Sequence, residues 1–322
     1  MAGPSNYPNG FAHGVIIRGL PLQSAHPGEV FWVNNSSVLA KGGIGGSNTN
    51  DGSYKKPFST LDYAVGRCTA NRGDIIMVMP GHAETYSTAT ATDDELKLDV
   101  AGIAIVGLGS GSLRPTFTFD TANTVTVPVS VANVTIYNCA FVGNFLSNAI
   151  MFTLTTAKYF SLINCDFSDT SASLNTVNII ESTGAANTVD GLYCQGNRAS
   201  MLGTTFNCFA VLAATARGMT FIDNVVDSID TANAPALLDV TGIVTDLLVK
   251  DCIVGTLGTT NTANIVKCTG TTSTGFLVNC YSHTLDTTGV AYTVTSNLRA
   301  SNIFVSGAVA NQGGRVNPDP AA

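Results

Sequence analysis

The sequence predicts an all-β chain folded as a right-handed parallel β-helix of roughly eight coils, and two observations predict it. The first is a recurring phrase: an apolar strand, then usually Asn or Asp, then Cys. Its copies lie 26, 29, 30, 28 and 28 residues apart, measured through Cys139, Cys165, Cys194, Asn224, Cys252 and Cys280. Such a period is typical of a solenoid. The second is that short β-branched and aromatic runs alternate with Thr, Ser, Asn and Gly, which favours strands and turns over helices.

The cysteines are predicted to be structural. Equivalent residues of successive coils stack about 4.8 Å apart in a parallel β-helix. We therefore expect an interior ladder formed by Cys139, Cys165, Cys194, Cys252 and Cys280. A disulfide framework or a metal site is the alternative, but the sequence has no CxxC motif and no histidine pair at zinc-finger spacing. No metal and no cofactor is predicted, because buried free cysteine behaves as a small hydrophobic residue.

The composition points to a surface that is uncharged or covered by partner subunits. Charged residues make up 11% of the chain, against roughly 25% in an average domain. Between Thr121 and Cys165 only Lys158 is charged. The net charge of −7 argues against a nucleic-acid partner, and no apolar run is long enough for a membrane span. Residues 1–6 have neither a basic nor an apolar region, so no secretory signal is expected and the chain is predicted to be made in the host cytoplasm.

Residues 1–56 do not match the repeat and are predicted to form an N-terminal arm that attaches the protein to a neighbouring chain. Two strand-like pieces in this arm would make the contact, and their attachment residues are Ile16, Ile17, Phe31, Trp32 and Val33. The alternative is a disordered leader, since the Gly-, Asn- and Ser-rich tract of residues 42–53 has a flexible composition.

Residues 57–306 are predicted to hold a capping helix followed by the solenoid. The helix would span Pro57 to Cys68, with Ser59 and Asp62 in a capping box, and would cover the open end of the first coil. The first coil is predicted to begin at the strand Ile75–Met79. Residues 307–322, rich in Gly and Pro, are predicted to form an extended tail.

The order of motifs at the start of the solenoid carries a family resemblance. Asp51-Gly-Ser, Lys56-Pro-Phe-Ser-Thr-Leu-Asp-Tyr-Ala, Gly73-Asp-Ile-Ile, Pro80-Gly-His-Ala-Glu-Thr and Gly102-Ile-Ala-Ile-Val-Gly-Leu-Gly follow one another within residues 51–120. This order resembles the opening of pectin-lyase-like right-handed β-helix proteins, particularly the virion proteins of tailed bacteriophages. The resemblance implies the fold; for function it implies either a polysaccharide-degrading enzyme or a structural protein.

Candidate chemistry is sparse. Glycoside hydrolysis needs two carboxylates on one face, and the candidates are Asp93, Asp94, Glu95, Asp166, Asp169, Asp223, Asp227, Asp230 and Asp251, with Arg198 and Arg217 as possible basic partners. Most of them are expected at turns, where Asp is commonly structural. His82 and Glu84 follow a Pro-Gly turn and are expected to make turn hydrogen bonds. Saccharide platforms would need exposed aromatic residues, for which Tyr281, Tyr292, Phe206 and Phe209 are candidates.

These observations predict a non-enzymatic bacteriophage virion protein with no catalytic residues. The expected form is a homotrimer that decorates the head as a cement protein and contacts the major capsid protein through the N-terminal arm. The alternative is a tail fibre or tailspike protein that binds or degrades host-surface polysaccharide. A host-surface adhesin with aromatic residues along one flank is a third possibility.

Overall fold

The fold class predicted from the sequence is confirmed: the chain forms a parallel β-helix. The computed structural model describes residues 16–17, 20–21, 28–37, 39–87, 96–229, 235–256, 263–284, 292–294, 297–306 and 314–316. Two sheets of ten strands and one of seven run along the solenoid. Apart from one antiparallel strand at the end of one sheet, their strands pair in parallel with the equivalent strands of the preceding and following coils.

Each full coil contributes one strand to each of the three sheets. Sheet 1 contains β3 (Val30–Val33), β4 (Ile75–Val78), β6 (Ala104–Gly107), β9 (Thr135–Tyr137), β12 (Ser161–Ile163), β15 (Tyr193–Gln195), β19 (Thr220–Ile222), β23 (Leu247–Lys250), β26 (Thr274–Val278) and β29 (Asn297–Ser301). Sheet 2 contains β5 (Ala83–Tyr86), β7 (Thr116–Phe119), β10 (Ala140–Gly143), β13 (Asp166–Asp169), β16 (Arg198–Met201), β20 (Val225–Ser228), β24 (Ile253–Thr256), β27 (Tyr281–His283), β30 (Ile303–Ser306) and the antiparallel β31 (Gly314–Val316).

Sheet 3 contains β8 (Val127–Val129), β11 (Asn148–Leu154), β14 (Thr176–Ser182), β17 (Cys208–Leu212), β21 (Ala236–Val240), β25 (Asn264–Cys268) and β28 (Tyr292–Val294). Because sheet 3 has seven strands, seven coils are complete, and partial coils lie at both ends. Two short pairs complete the described strands: β1 (Ile16–Ile17) with β2 (Leu20–Pro21), and β18 (Ala216–Arg217) with β22 (Val244–Thr245).

The interior is filled by rows of like side chains. In sheet 2, Phe117, Phe141 and Phe167 occupy the same register in three successive coils. Their rings stack with centroid separations of 5.5 Å and 5.4 Å. All three side chains are buried. Neighbouring strands of a parallel sheet lie about 4.8 Å apart, a spacing close to that at which aromatic rings stack. Equivalent Phe side chains of successive coils can therefore be buried against one another.

Two rows of turns with left-handed backbone fix the corners on either side of sheet 1. Turn row 1 immediately precedes the buried residue at the start of each strand and consists of Gly73, Gly102, Asn133, Tyr159, Gly191, Gly218 and Asp246. Turn row 2 follows the strands and consists of Asn138, Asn164, Gly196, Asp223, Asp251, Asn279 and Asn302. Gly, Asn and Asp tolerate positive φ, which costs other residues about 1–2 kcal/mol. Tyr159, with φ of 57°, is the exception.

The buried station after turn row 2 corrects the predicted cysteine ladder. Successive backbone hydrogen bonds align Cys139, Cys165, Asn197, Asn224, Cys252, Cys280 and Ile303 at this station. Cys194 is not a member: it lies inside β15, paired in register with Leu162 and Phe221. Asn197 occupies the position in the ladder that was predicted for Cys194. The prediction fails here because the station changes residue type from Cys to Asn, a polar residue that is rarely buried.

Asn197 and Asn224 satisfy each other inside the solenoid. Asn197 Nδ2 donates to Asn224 Oδ1 at 2.9 Å and to the Leu162 carbonyl at 2.9 Å. Asn197 Oδ1 accepts the Cys165 N–H, and Asn224 Nδ2 donates to the Cys194 carbonyl. Both side chains are fully buried. A buried amide is tolerated when its donors and acceptors are paired across coils in this way.

The predicted N-terminal boundary at residue 56 is corrected by β3. This strand pairs in parallel with β4, so the first strand of sheet 1 is Val30–Val33 rather than Ile75–Met79. Phe31, Trp32 and Val33 are buried against the chain itself and are not available to a partner. The reason is that the Trp32 N–H donates to the Gly52 carbonyl and the Trp32 carbonyl accepts the Phe58 N–H, which holds residues 52–58 against β3. Ile16 and Ile17 form β1, and their role in attachment stays a prediction.

The single α-helix of the described residues, α1 (Leu61–Arg67), covers the N-terminal end of the solenoid beside β3 and β4, and a 3₁₀ helix spans Gly111–Leu113. Helix α1 is shorter than predicted, and its N-cap is Thr60, whose hydroxyl accepts the Tyr63 N–H, rather than Ser59. Leu61, Ala64 and Val65 face the core, as the apolar stripe indicates. Across the described ranges, no helix has the length and apolar character needed to cross a bilayer.

None of the eight cysteines is in a disulfide, and all but Cys68 are buried. Burial raises the pKa of Cys165 to about 12 and that of Cys194 well above its usual value. Since the thiolate is the reactive form, we expect a thiol reagent to leave the seven buried cysteines unlabelled in the native protein and to label them together on global unfolding. Mass spectrometry after pulse labelling at increasing denaturant concentrations checks this, and fast native labelling of Cys252 would contradict it.

Candidate functional site

The outer face of sheet 2 gathers ionisable and aromatic side chains into two neighbouring rows. The parallel register aligns one residue per coil, so residues distant in sequence become neighbours. Row A contains Asp166, Arg198, Val225, Ile253, Tyr281 and Phe304. Row B contains Ser168, Ser200, Asp227, Gly255 and His283. The predicted candidates Asp166, Arg198, Asp227 and Tyr281 are all on this face.

A hollow opens in row B at Gly255. It has a volume of about 210 Å³ and is lined by Ser200, Met201, Leu202, Asp227, Ser228, Ile229, Gly255, Thr256 and His283. The missing side chain is what makes room: a Cβ at Gly255 would lie 2.7 Å from Asp227 Oδ1. Asp227 and His283, one coil away on either side, therefore border an open space between them. Concave sites with a few convergent polar groups are typical of ligand pockets.

Row A gives the face an apolar flank beside the hollow. Tyr281 is 48% exposed, and its ring stacks on that of Phe304 with a centroid separation of 4.8 Å and an angle of 12° between the planes. Ile253, in the preceding coil, is 39% exposed. A stacked aromatic pair has few conformations open to it, so the ring of Tyr281 is held ready for contact.

Charged residues mark the other end of row A. Arg114 forms an ion pair with Asp166, and Arg198 follows Asp166 in register one coil later. Two guanidinium groups therefore flank one carboxylate. The Asp166 end of row A thus carries more positive than negative charge, while Tyr281 and Phe304 are uncharged.

The hollow is bordered by side chains that can form hydrogen bonds with hydroxyl groups. Asp227 accepts hydrogen bonds, and His283 has one ring nitrogen that donates and one that accepts in its neutral form. In register they are two coils apart, which is about 10 Å. Of the residues that line the hollow, Asp227 is the one carboxylate. The paired carboxylates that glycoside hydrolysis requires are not brought together there.

The other predicted carboxylates have structural roles. Asp169 is buried and accepts N–H bonds from Thr176 at 2.9 Å and from Leu202 and Gly203 at 3.0 Å. Asp223 and Asp251 belong to turn row 2, which agrees with their expected place at turns. Asp93, Asp94, Glu95 and Asp230 lie outside the described residues. Within the described ranges, no group of three or more His, Cys, Asp or Glu side chains could hold a metal ion.

His82 and Glu84 form a buried pair that holds the N-terminal end together. His82 Nε2 lies 2.7 Å from Glu84 Oε1, and His82 Nδ1 accepts the Asn35 N–H at 3.0 Å. Glu84 Oε1 also accepts the N–H of Leu61, the first residue of α1, at 2.6 Å. This agrees with the predicted hydrogen-bonding role, because each partner is main chain or part of the pair.

The predicted saccharide platforms are only partly exposed. Phe206 and Phe209 are fully buried and cannot contact a ligand. The side chain of Tyr292 lies outside the described residues. Of the predicted platforms Tyr281 is the exposed one, and Gly255 and His283 near it were not among the predicted site residues. A signal exists in the sequence: Gly255 and His283 each follow the buried cysteine of their coil by three residues.

Comparisons with known proteins show similarity in fold. No family model matches the chain, and no curated protein matches it. Two solved structures are similar. A rhamnogalacturonan lyase matches with a TM-score of 0.42 and 12% identity, over 86% of this chain and 87% of that chain. A pectate lyase matches with a TM-score of 0.38 and 14% identity, over 88% of this chain and 78% of that chain.

The comparison contradicts the prediction that the chain is not an enzyme, and we correct it. Both similar structures are named as polysaccharide lyases. At 12% and 14% identity the likeness concerns the fold alone, but that fold is one on which enzymes are built. The lack of a recognisable catalytic pattern among the carboxylates is therefore no ground for calling the chain a non-enzyme.

Proposed function

We propose that the protein binds polysaccharide along the outer face of sheet 2. The observation that carries the proposal is the exposed Tyr281–Phe304 stack next to the hollow bordered by Asp227 and His283. A sugar ring has an apolar C–H face and polar hydroxyl edges. An aromatic platform beside convergent polar groups matches both at once.

The shape of the face suits a linear polymer. Rows A and B run parallel to the solenoid axis, with one residue every 4.8 Å or so. An extended glycan lying along them would pass over Tyr281 and place hydroxyl groups near Asp227 and His283. The Arg114–Asp166–Arg198 end would then meet units further along the same chain.

Replacing Tyr281 by alanine tests the platform. We expect affinity for the polymer to fall about tenfold, because the stacking contact is lost while the buried core is untouched. Affinity electrophoresis in gels that contain pectate as an acidic polymer or dextran as a neutral one measures this as lost retardation. Retardation of the wild-type protein by neither polymer would reject the proposal. A reducing-end and ultraviolet-absorbance assay on the same polymers reports whether the bound chain is also cleaved.

Filling the hollow is a second test with a built-in control for folding. Gly255→Val should weaken binding at least as much as Tyr281→Ala, because the new side chain occupies the space between Asp227 and His283. The one neighbour closer than 3.9 Å to the new Cβ is Asp227 Oδ1 at 2.7 Å, at the end of an exposed side chain, and valine favours strands. We therefore expect the thermal midpoint to stay or rise. Unchanged binding in a folded Gly255→Val protein would place the ligand elsewhere.

We also propose that the chain is a virion component that assembles as a homotrimer, on the head or the tail of a bacteriophage. The resemblance of residues 51–120 to phage β-helix proteins and the low charge support this. So does the outer face of sheet 1: its outward residues from β4 to β19 include Val106, Tyr137, Ile163 and Ile222 and no charged side chain. An uncharged sheet face of that length is typical of a subunit contact.

The trimer proposal predicts one result for a single charge. Ile163→Asp should convert the assembly to monomers, since it buries an unpaired carboxylate in the contact. Sedimentation velocity at micromolar concentration checks this. A wild-type monomer under those conditions would contradict the proposal. The number of copies per purified particle, by gel densitometry, would separate a shell-wide decoration protein from a tail protein.

A further inference from the structure

A second exposed aromatic platform lies at the corner between sheet 3 and sheet 1. Tyr159 belongs to turn row 1, where its φ is 57°. The other described members of that row are Gly, Asn or Asp, the residues that adopt this backbone readily. A tyrosine there is an outlier, and such outliers persist where the surrounding structure holds them and cluster at functional sites.

The next coil provides a seat for the ring of Tyr159. The equivalent residue there is Gly191, and a Cβ at Gly191 would lie 2.4 Å from Cδ1 of the tyrosine ring. The ring therefore lies over a glycine that has no side chain to displace it. With one side against Gly191, Tyr159 is still 58% exposed. The strained backbone thus presents a flat, held aromatic surface to solvent.

Two positively charged side chains lie on the row of residues that precedes turn row 1. The residues that precede turn row 1 in three successive coils are Lys158, Asp190 and Arg217. Lys158 Nζ lies 3.7 Å from Asp190 Oδ2, and Arg217 Nε lies 3.9 Å from the same oxygen. Asp190 is mostly buried, while Lys158 and Arg217 are 47% and 64% exposed. Both cations lie farther than hydrogen-bond length from Asp190 Oδ2, so they keep donors for another oxygen.

We propose that Tyr159, with Lys158 and Arg217, forms a second carbohydrate-binding site, in which a sugar ring stacks on Tyr159 and its hydroxyl or carboxylate oxygens accept from the two cations. This inference rests on the proposed function. The site is separate from the hollow on sheet 2, because it lies at the corner on the opposite side of sheet 1 along each coil. The protein would thereby hold a polymer at two places, which raises the apparent affinity for long chains above that of either site.

Tyr159→Gly is the decisive variant, because it removes the ring and relieves the backbone at the same residue. We expect its thermal midpoint to stay or rise, which excludes misfolding as the cause of lost binding. Retardation in the pectate or dextran gel should fall about fivefold, and the double variant with Tyr281→Ala should lose it entirely. Tyr159→Phe should bind as the wild type does. Phe276→Ala is the matched control, since Phe276 on sheet 1 is 57% exposed and outside both sites.

The outcomes separate the two sites. Full retardation of a folded Tyr159→Gly protein overturns the second site alone. If Tyr159→Gly loses retardation while Tyr281→Ala is retarded as strongly as the wild type, the sheet 2 site is overturned and this one is supported. Retardation of the wild type by neither polymer overturns both. Lys158→Ala shows which sugar oxygen accepts from Lys158. A loss of retardation confined to the pectate gel identifies a carboxylate, and an equal loss in the dextran gel identifies hydroxyl groups.

Discussion

Asp74→Ala is expected to destabilise the native protein by about 3 to 5 kcal/mol. Asp74 is 0% exposed and joins three segments at the N-terminal end of the solenoid. Its carboxylate accepts Arg72 Nε at 2.7 Å and a terminal nitrogen of the same guanidinium at 2.8 Å. It also accepts the N–H of Glu29 at 2.8 Å and of Thr69 at 2.7 Å. Alanine would leave two main-chain donors without their acceptor and the Arg72 guanidinium with only Glu29 as a partner.

The same contacts make this end of the molecule sensitive to acid. Burial raises the pKa of Asp74, but the hydrogen bonds from Arg72, Thr69 and Glu29 outweigh it and leave the pKa below its usual value of 3.8. A carboxyl with a lowered pKa contributes stability above pH 3.8 and loses it as the pH falls through the lower value. Urea unfolding of Asp74→Ala measures the effect. Asp239→Ala, on the outer face of sheet 3, is the control, and equal losses for the two would contradict the prediction.

Asp169 should have the opposite dependence on pH. Burial raises its pKa to about 7, even though three main-chain N–H groups donate to it. Between pH 3.8 and 7 the native state therefore holds a proton that the unfolded state has lost. Its contribution is full below pH 3.8 and falls as the pH rises through 7, by on the order of 4 kcal/mol if the shift is complete.

Asp169→Asn should remove that slope, because an amide does not ionise. Its NH₂ group would also face a main-chain N–H, so we expect the variant to be less stable than the wild type at pH 5 by about 1 to 3 kcal/mol. Free energies of unfolding at pH 5, 6, 7 and 8 test both statements. Asp62, whose pKa burial raises to about 6, adds a slope of the same sign and remains in the variant. Asp246→Asn, an exposed member of turn row 1, is the control, and a wild-type slope in Asp169→Asn would refute the assignment.

The sequence was sufficient for the fold because the fold repeats. The strand-and-cysteine phrase is local, and its 26- to 30-residue return directly measures one coil. The phrase did not locate the buried station in the coils where that station holds a residue other than Cys. The pair Gly196-Asn197 matches Asn164-Cys165 in backbone, with a positive φ followed by a buried residue, but it lacks the Cys that marks this station in the sequence. The left-handed residue is the better marker of register, since its backbone requirement persists when the buried side chain varies.

The candidate sites were harder to predict because neighbours in register are distant in sequence. Asp227 and His283 border one hollow only because the coil between them has Gly255 at the same place. Tyr159 and Gly191 likewise make a platform only as a pair. Loop lengths between sheets differ from coil to coil, and a shift of one residue would turn each side chain to the other face. The N-terminal boundary was wrong for a related reason: β3 finds its partner, β4, more than forty residues later in the chain.

The buried Asn197–Asn224 pair forms a hydrogen bond that only these two neighbouring coils can make with each other. A chain of near-identical modules can close with one module skipped, and most such errors would still bury apolar surface. Skipping a coil here would leave Asn197 Nδ2 and Asn224 Oδ1 opposite thiols, at the expense of hydrogen bonds that an interior cannot replace. A pairing that omits one of the two coils is therefore disfavoured by the buried asparagines, and the surface residues are free to vary.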